Sequence, residues 1–224
     1  MKEKESGSHL ESLEYSTSMN KIHPEFISLS EACQGIRIQM DYSSIHNFTG
    51  QVVPGYKAQK AYMAKPSAEA LGRVQKKALE LGLSLKIFDA YRPVKAVSFF
   101  QDWAQLPETN PALKAIYYPG FSRIDLFEQG FIAKQSSHSR GSAVDLTLCD
   151  HHSGHDLDMG SAFDYFDVIS HTDNDSISDE QIKNRRLLKS LMESEGFKNF
   201  FQEWWHFSLR PEPFPHDAFD FDIE

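Results

Sequence analysis

The stretch SSHSRGSAVDLTL, from Ser136 to Leu148, is the most informative part of the 224-residue sequence. From Ala143 onward apolar side chains alternate with a face that carries Asp145, which predicts a β-strand. Because the opposite face is apolar, Asp145 is either solvated on an open sheet face or held by a partner in a site. His138 lies a short turn upstream, and Gly141 lets the backbone bend closely between them. A metal ion is the simplest partner that joins an imidazole and a carboxylate.

A second stretch, EWWHF from Glu203 to Phe207, supplies what such a metal site would lack. Zinc sites that perform chemistry have three protein ligands and an open position for water. His206 would complete a His/Asp/His set, and Glu203 would serve as the base. Alone, an E-x-x-H pair is more often a packed core histidine than a catalytic one. Together the two stretches predict a zinc hydrolase, although His/Asp/His also accepts other divalent ions.

Arg92 lies between a predicted strand over residues 83–88 and a helix predicted to start at Pro93 and run to about Ala104. Such junctions are common places for functional side chains. From the residues alone, the favoured interpretation of Arg92 is a surface cation or a partner of Asp89.

These motifs resemble those of the zinc D-Ala-D-Ala peptidases, a family that shares its fold with the hedgehog signalling domain. The family signature is S-x-H-x-x-G-x-A-x-D followed far downstream by E-x-W-H. Longer matches resemble the D-alanyl-D-alanine dipeptidases of the VanX type and run from about Ile36 to the C-terminus. They are NFTG at 47–50, FDAYRP at 88–93, residues 136–148, MGS at 159–161 with FD at 163–164, NRR at 184–186, and residues 203–206.

The resemblance implies a metallopeptidase that hydrolyses the free dipeptide D-Ala-D-Ala to two D-alanines. It implies one zinc ion per chain, held by His138, Asp145 and His206. Glu203 would take a proton from the attacking water and pass it to the leaving amine.

The resemblance also implies how the substrate is held. Arg92 would face the substrate carbonyl and stabilise the negative charge that builds on its oxygen. Asp164 and Ser136 would hold the free ammonium group of the dipeptide, which explains a preference for a free N-terminus. Tyr42 and Tyr56 match family positions near the substrate cavity, but packing against the sheet is at least as good an interpretation of each.

Two alternatives stay open. The same zinc ligands serve D,D-carboxypeptidases and endolysins that cut peptidoglycan stem peptides, although the segments around Asp164 and Asn184 favour the free dipeptide. A non-catalytic zinc-containing binding domain, like the hedgehog module, would keep the ligands without the activity. Retention of Glu203 and Arg92 argues against that alternative, as does the absence of an evident signal peptide.

The amino-acid composition and net charge limit the possible fold classes and binding partners. The sequence is 40% hydrophobic and 12% aromatic, which is typical of a globular domain with a proper core. A formal net charge of −9 argues against binding to nucleic acid or to an anionic membrane. We expect a single α+β domain over residues 21–224, with a mainly antiparallel sheet and flanking helices. Whether the chain forms a homo-oligomer stays open.

Residues 1–20 are polar and rich in serine, and we interpret them as a disordered tail or a non-native leader. No apolar stretch is long enough to span a membrane. The expected location is cytoplasmic, or periplasmic if a native signal peptide is missing. The physiological role stays open between glycopeptide resistance and recycling of cell-wall D-alanine.

Further predictions concern local structure. Cys33 and Cys149 are interpreted as two buried thiols. The Asp150–Asp158 segment, rich in His and Asp, is interpreted as a solvated loop in preference to a second metal site. Other expected elements are a strand over residues 36–42, a helix from Pro66 to Gly82, a loop over residues 110–120, a capped helix from Ser122 to Gly130, and a helix from Ser178 to Gly196.

Overall fold

A computed structural model of the protein describes residues 22–224. The tail predicted over residues 1–20 lies outside the described residues. The strands are β1 (Phe26–Ser28), β2 (Arg37–Ile38), β3 (Tyr62–Ala64), β4 (Leu83–Asp89), β5 (Ala143–Asp150), β6 (Phe197–Phe200) and β7 (Glu203–Leu209). The helices are α1 (Leu29–Ala32), α2 (Lys65–Glu80), α3 (Val94–Gln105), α4 (Pro111–Tyr117), α5 (Arg123–Glu128) and α6 (Asp179–Glu193).

The main sheet has five strands in the order β2-β4-β5-β7-β6. The β2–β4 pair is parallel, and the other three pairs are antiparallel. Strands β1 and β3 form a separate antiparallel pair. Helices α2 and α6 contact each other, and they pack against β4 and β6 respectively. The prediction of a mixed α+β architecture with a mainly antiparallel sheet is therefore confirmed.

The central strand β5 is buried on both of its faces. Val144, Leu146 and Leu148 have no exposed surface on one face. On the other face Asp145 is only 2% exposed and Thr147 1%. Burial on both faces excludes a solvated Asp145, so this carboxylate must have partners inside the molecule.

Several helices begin where the sequence predicts. The serines at 122 and 178 each form a capping box, in which the serine side chain and the third helical residue exchange hydrogen bonds with the backbone. The apolar residues at helical spacing predict a buried stripe of Ala68, Leu71, Val74, Ala78 and Leu81. Helix α2 buries the first four, but the prediction is wrong for Leu81, which is the C-cap residue and is 55% exposed. Helix α3 begins at Val94, one residue later than predicted, because Pro93 is its N-cap residue.

The predicted strand over residues 36–42 is wrong beyond Ile38. The backbone N–H of Met40 donates to Gln59 Oε1 at 2.7 Å, and Gln59 Nε2 donates to the Met40 carbonyl at 3.0 Å. This side-chain amide takes the place of a neighbouring strand. The chain then enters a 3₁₀ turn over Asp41–Ser43.

The loop predicted over residues 110–120 is also wrong, since it contains α4. The Asn110 side chain accepts a hydrogen bond from the Leu113 backbone N–H at 3.0 Å and so caps the helix. Pro111 occupies the first helical position, where the absence of its N–H has no cost. Pro119 lies two residues beyond the end of the helix, so neither proline interrupts its interior.

Both cysteines are buried and unlinked in the described part of the chain, as predicted. Burial raises the pKa of the Cys33 thiol to about 12, so this group stays protonated. Across residues 22–224, no helix has the length and apolar character needed to cross a membrane.

Candidate active site

The seven residues proposed from the sequence for the site all line one cavity of about 390 Å³. Strands β5 and β7 supply part of the lining, and loops supply the rest. The seven residues are Arg92, Ser136, His138, Asp145, Asp164, Glu203 and His206.

Strand pairing brings two of the proposed metal ligands together. Asp145 on β5 lies directly opposite His206 on β7, and Asp145 Oδ1 is 2.9 Å from His206 Nδ1. His138 Nε2 lies 3.2 Å from Asp145 Oδ2. The three donor atoms lie within 4.8 Å of one another, and among residues 22–224 this is the only such group of three or more His, Cys, Asp or Glu side chains.

The histidine loop, residues 136–142, holds His138 in place. His138 begins a short 3₁₀ turn that ends at Gly141, whose φ is +70°. Ala64 of β3 donates its backbone N–H to the Gly141 carbonyl at 3.0 Å. A Cβ at position 141 would lie 2.5 Å from the Phe26 ring and 2.9 Å from Ala64 N. Only glycine therefore lets the loop lie this close to β1 and β3.

The donor set fits a metal ion. His138 Nδ1 lies 2.6 Å from the Ala90 carbonyl and donates its proton there, which leaves a lone pair on Nε2. That Nε2 is 3.2 Å from His206 Nδ1, and both nitrogens face the Asp145 carboxylate. Two imidazole nitrogens and a carboxylate that converge in this way form the kind of donor set that binds a divalent metal ion.

Burial and charge set the ionisation of this group. Burial lowers the pKa of His206, which favours the neutral imidazole that binds metals. Burial alone would raise the pKa of Asp145, but its interactions with His138 and His206 outweigh burial and hold this pKa well below its usual range. Asp145 is therefore an anion.

Glu203 is the first residue of β7, and its Oε2 lies 3.9 Å from His206 Nδ1. The residue is 8% exposed. Burial raises the pKa of its carboxyl well above the usual value, and the negative charges of Asp145 and Asp164 raise it further. A carboxylate with a raised pKa beside the donor group is suited to accept and release a proton.

Arg92 is a partner of Asp89, as one interpretation of the sequence predicts, and it also lines the cavity. Its Nε donates to Asp89 Oδ2 at 2.8 Å, and its Nη2 donates to Asp145 Oδ2 at 3.3 Å. The guanidinium also lies over the rings of Tyr42 and Phe100, each 5.3 Å away. Burial would lower its pKa, but the neighbouring Asp89 raises the pKa above its usual value, so Arg92 presents a fixed cation to the cavity.

Asp164 lies at another part of the cavity wall. Its φ is +58°, a left-handed conformation rare for residues other than glycine. Tyr42 Oη donates to Asp164 Oδ2 at 2.8 Å, and burial raises the pKa of this carboxyl well above its usual value. Ser136 also lines the cavity, and its Oγ accepts the His138 backbone N–H at 3.2 Å.

The structure separates the two tyrosines that the sequence left undecided. Tyr42 lines the cavity and bonds to Asp164. Tyr56 does not line it, and donates its hydroxyl to the buried Asp89 at 2.7 Å. A match to a family position was the only sequence signal for Tyr42.

Of the five aromatic residues in the 200–207 segment, two line the cavity and three do not. Phe200 and Trp205 line the cavity. Phe201 is 63% exposed, Phe207 is fully buried, and Trp204 faces a neighbouring cavity. Successive side chains of a strand point to opposite faces, so adjacent residues cannot all line one wall.

Sequence reasoning missed three cations in the lining, namely Arg140, Lys198 and Arg210. Arg140 Nε donates to Glu212 Oε2 at 2.6 Å, and Arg210 also pairs with Glu212. No sequence signal singled these residues out for the site.

In the Asp150–Asp158 segment, acidic side chains have protein partners. Asp150 Oδ1 accepts the backbone N–H of Ser153 at 2.7 Å. Asp156 pairs with Lys86 at 2.7 Å.

The chain matches known proteins over nearly all of its described length. Residues 23–224 match the M15 peptidase family model described as D-ala-D-ala dipeptidase, a range that includes every residue lining the cavity. The chain is 41% identical over 199 residues to a D-alanyl-D-alanine dipeptidase of Enterococcus faecium, covering 89% of this chain and 98% of that protein. The identity and coverage are the same for a D-alanyl-D-alanine dipeptidase of Streptomyces coelicolor. A D-alanyl-D-alanine dipeptidase of Escherichia coli is 32% identical over 185 residues, covering 83% of this chain and 84% of that protein.

Proposed function

The chain belongs to the M15 peptidase family of D-Ala-D-Ala dipeptidases, and we propose that it hydrolyses the free dipeptide D-Ala-D-Ala to two molecules of D-alanine. The observation that carries this proposal is the convergence of His138, Asp145 and His206 beside the buried Glu203. A donor group next to a base of raised pKa is the arrangement that hydrolysis of an amide needs.

The ion that fits the three donors best is zinc. Catalytic zinc sites use three protein ligands, often histidine and carboxylate as here, and keep a further position open. When bound, zinc would activate a water molecule and polarise the substrate carbonyl. The described residues provide the ligands, and the cavity of about 390 Å³ leaves room for a small substrate beside them.

Glu203 would move the proton during hydrolysis. It would accept a proton from the attacking water and return it to the leaving nitrogen. Its raised pKa supports both steps, because a weakly acidic carboxyl holds the proton between them.

Arg92 would stabilise the negative charge that develops on the substrate carbonyl oxygen. Its hydrogen bonds to Asp89 and Asp145 hold the guanidinium in place before the reaction. A donor fixed in advance needs no reorganisation as charge develops and is worth about 3 kcal/mol in comparable oxyanion sites.

Asp164 and Ser136 would bind the ammonium group of the dipeptide, and the Tyr42 hydroxyl would hold Asp164 in place. Burial makes a lone carboxylate at position 164 costly, as its raised pKa indicates. A substrate ammonium would compensate that cost. This supports a free dipeptide as the substrate in preference to a longer stem peptide, in which this nitrogen is part of an amide.

The hedgehog-like fold remains part of the proposal. It is supported by the sheet that supplies Asp145 and His206 from adjacent antiparallel strands. The net charge of −9 supports a small-molecule partner and argues against nucleic acid.

Release of D-alanine tests the proposed activity. We expect purified protein to cleave D-Ala-D-Ala, to lose the activity after chelation, and to regain it when zinc is restored. N-acetylated D-Ala-D-Ala should be cleaved far more slowly, because it has no ammonium group for Asp164. Preferential cleavage of the blocked substrate would identify a carboxypeptidase instead. Failure to cleave either substrate, in protein that holds one zinc, would point to a binding domain.

The substitution Asp164→Asn is expected to reduce kcat/KM for the free dipeptide by roughly 10- to 100-fold, because a hydrogen bond to a charged group is worth about 1.5–3 kcal/mol. Cleavage of the N-acetylated dipeptide should change little, so the preference between the two substrates should shrink. Tyr42→Phe is the matched variant, since it removes only the hydroxyl that donates to Asp164. An unchanged preference in Asp164→Asn would contradict the role of this carboxylate.

A further inference from the structure

Ser208 lies two residues after His206 on β7 and also lines the cavity. Its Oγ is 3.4 Å from His206 Nε2, the ring nitrogen opposite the one that faces Asp145. Ser208 Oγ is also 2.9 Å from the Ser137 hydroxyl. Ser208 is 5% exposed, so few water molecules compete for these contacts.

The chemistry of imidazole gives this contact a role. A neutral histidine carries its proton on one nitrogen and a lone pair on the other. To offer a lone pair from Nδ1, His206 must carry its proton on Nε2. Ser208 Oγ is in position to accept that proton in a hydrogen bond, and can donate its own proton to Ser137 Oγ.

The two proposed histidine ligands have different supports. His138 donates to the backbone carbonyl of Ala90, which no substitution removes. The support of His206 is a side-chain hydroxyl, which a single substitution removes. Ser137 belongs to the histidine loop, so the pair of hydroxyls joins the loop that carries His138 to the strand that carries His206.

We propose that Ser208 is a positioning residue that fixes the protonated nitrogen and the ring orientation of His206, and thereby raises the affinity of the cavity for its metal ion. The inference rests on the proposed function, because it requires that the three donors bind a metal. Partners that orient a metal-binding histidine typically change metal affinity by about 10- to 100-fold. We expect a loss of about tenfold on removing Ser208 Oγ, since the contact is long.

The test is a zinc competition titration with a chromophoric chelator, performed on the full-length protein and its Ser208→Ala variant. The wild-type protein should bind one zinc per chain, and Ser208→Ala should bind it about tenfold more weakly. Ser208→Thr keeps the hydroxyl and should restore the affinity. Ser137→Ala should produce a smaller loss, because it removes only the second hydroxyl of the pair.

Ser139→Ala is the matched control. Ser139 is 2% exposed in the same loop, and its hydroxyl has no hydrogen-bond partner among the described residues. Its removal should leave zinc affinity unchanged. An equal loss of affinity in Ser139→Ala and Ser208→Ala would overturn the inference, because it would show a general effect of loop packing.

A spectroscopic measurement separates the hydrogen bond from packing. In zinc-loaded wild-type protein, the His206 Nε2 proton should exchange slowly with water in ¹H–¹⁵N spectra, whereas in Ser208→Ala it should exchange faster because its acceptor is gone. Unchanged exchange and unchanged affinity in Ser208→Ala would overturn the role of Ser208 while leaving the proposed function intact. Wild-type protein that fails to bind zinc would instead overturn the proposed function.

Discussion

Replacing Glu203 with alanine is expected to lower kcat for D-Ala-D-Ala by roughly 10²- to 10⁴-fold, the range for loss of a positioned general acid and base. The variant should keep its metal ion, because Glu203 is not one of the three converging donors. Its Oε2 lies 3.9 Å from His206 Nδ1, close enough to act on a water molecule beside the donors. Initial rates and metal content, measured on the same preparation, check both expectations.

Two further variants make this test specific. Glu203→Gln keeps the shape of the side chain but accepts no proton, so its rate should be as low as that of Glu203→Ala. His206→Ala should lose both the metal and the activity, because it removes a donor. A Glu203→Ala enzyme with a nearly normal rate would remove the proposed proton transfer from the mechanism.

Replacing Arg92 with alanine is expected to lower kcat by roughly 10²- to 10³-fold, by analogy with loss of one donor to a developing oxyanion. The effect should fall mainly on kcat, since the charge on the carbonyl oxygen develops in the transition state. Arg92→Lys should recover little of the rate. The hydrogen bonds to Asp89 and Asp145 come from different nitrogens of one planar guanidinium, which an ammonium cannot reproduce.

The Arg92→Ala substitution is expected to lower the folding stability as well as kcat, so the two effects need separate measurements. Asp89 has no exposed surface, and loss of Arg92 leaves its carboxylate without its cation. Breaking a buried ion pair in this way costs about 3–5 kcal/mol of folding free energy. The double variant Asp89→Asn/Arg92→Ala removes the uncompensated charge, so it should regain thermal stability without regaining kcat.

Arg123→Ala provides the matched control for loss of a buried guanidinium. Arg123 is 7% exposed, pairs with Glu108 at 3.2 Å, and does not line the cavity. Its loss should lower the melting temperature with little change in kcat. Recovery of kcat together with stability in the Asp89→Asn/Arg92→Ala double variant would show that Arg92 acts only through folding.

The functional site was easiest to predict where a polar residue interrupts an otherwise apolar pattern. A carboxylate within an apolar strand requires a partner, so the alternation around Asp145 was enough to indicate a site. Capping residues at 122 and 178 located two helices from equally local information, since their bonds are made within four residues. Contacts of this kind depend on neighbours in the chain, which the sequence displays.

Contacts between residues far apart in the chain could not be predicted from the hydrophobic alternation or the capping residues. Nothing local shows that β5 pairs with β7, a pairing that places Asp145 opposite His206. The backbone of Met40 bonds to Gln59, and this side chain ended a strand that the alternation had continued. Tyr42 remained undecided because packing and substrate binding both favour a buried aromatic ring, and its bond to Asp164, a residue 122 positions away, has no local signal.

The close approach at Gly141 limits how the enzyme can be engineered. In a saturation library over residues 136–142, every side chain at position 141 would meet the Phe26 ring or Ala64 N at 3 Å or less, in addition to its strained φ. Position 139 offers a contrast, because its hydroxyl has no partner among the described residues. Selection for altered substrate range should therefore return only glycine at position 141. A smaller residue at position 26 would not make room for another side chain at 141, because Ala64 N would still lie 2.9 Å from its Cβ.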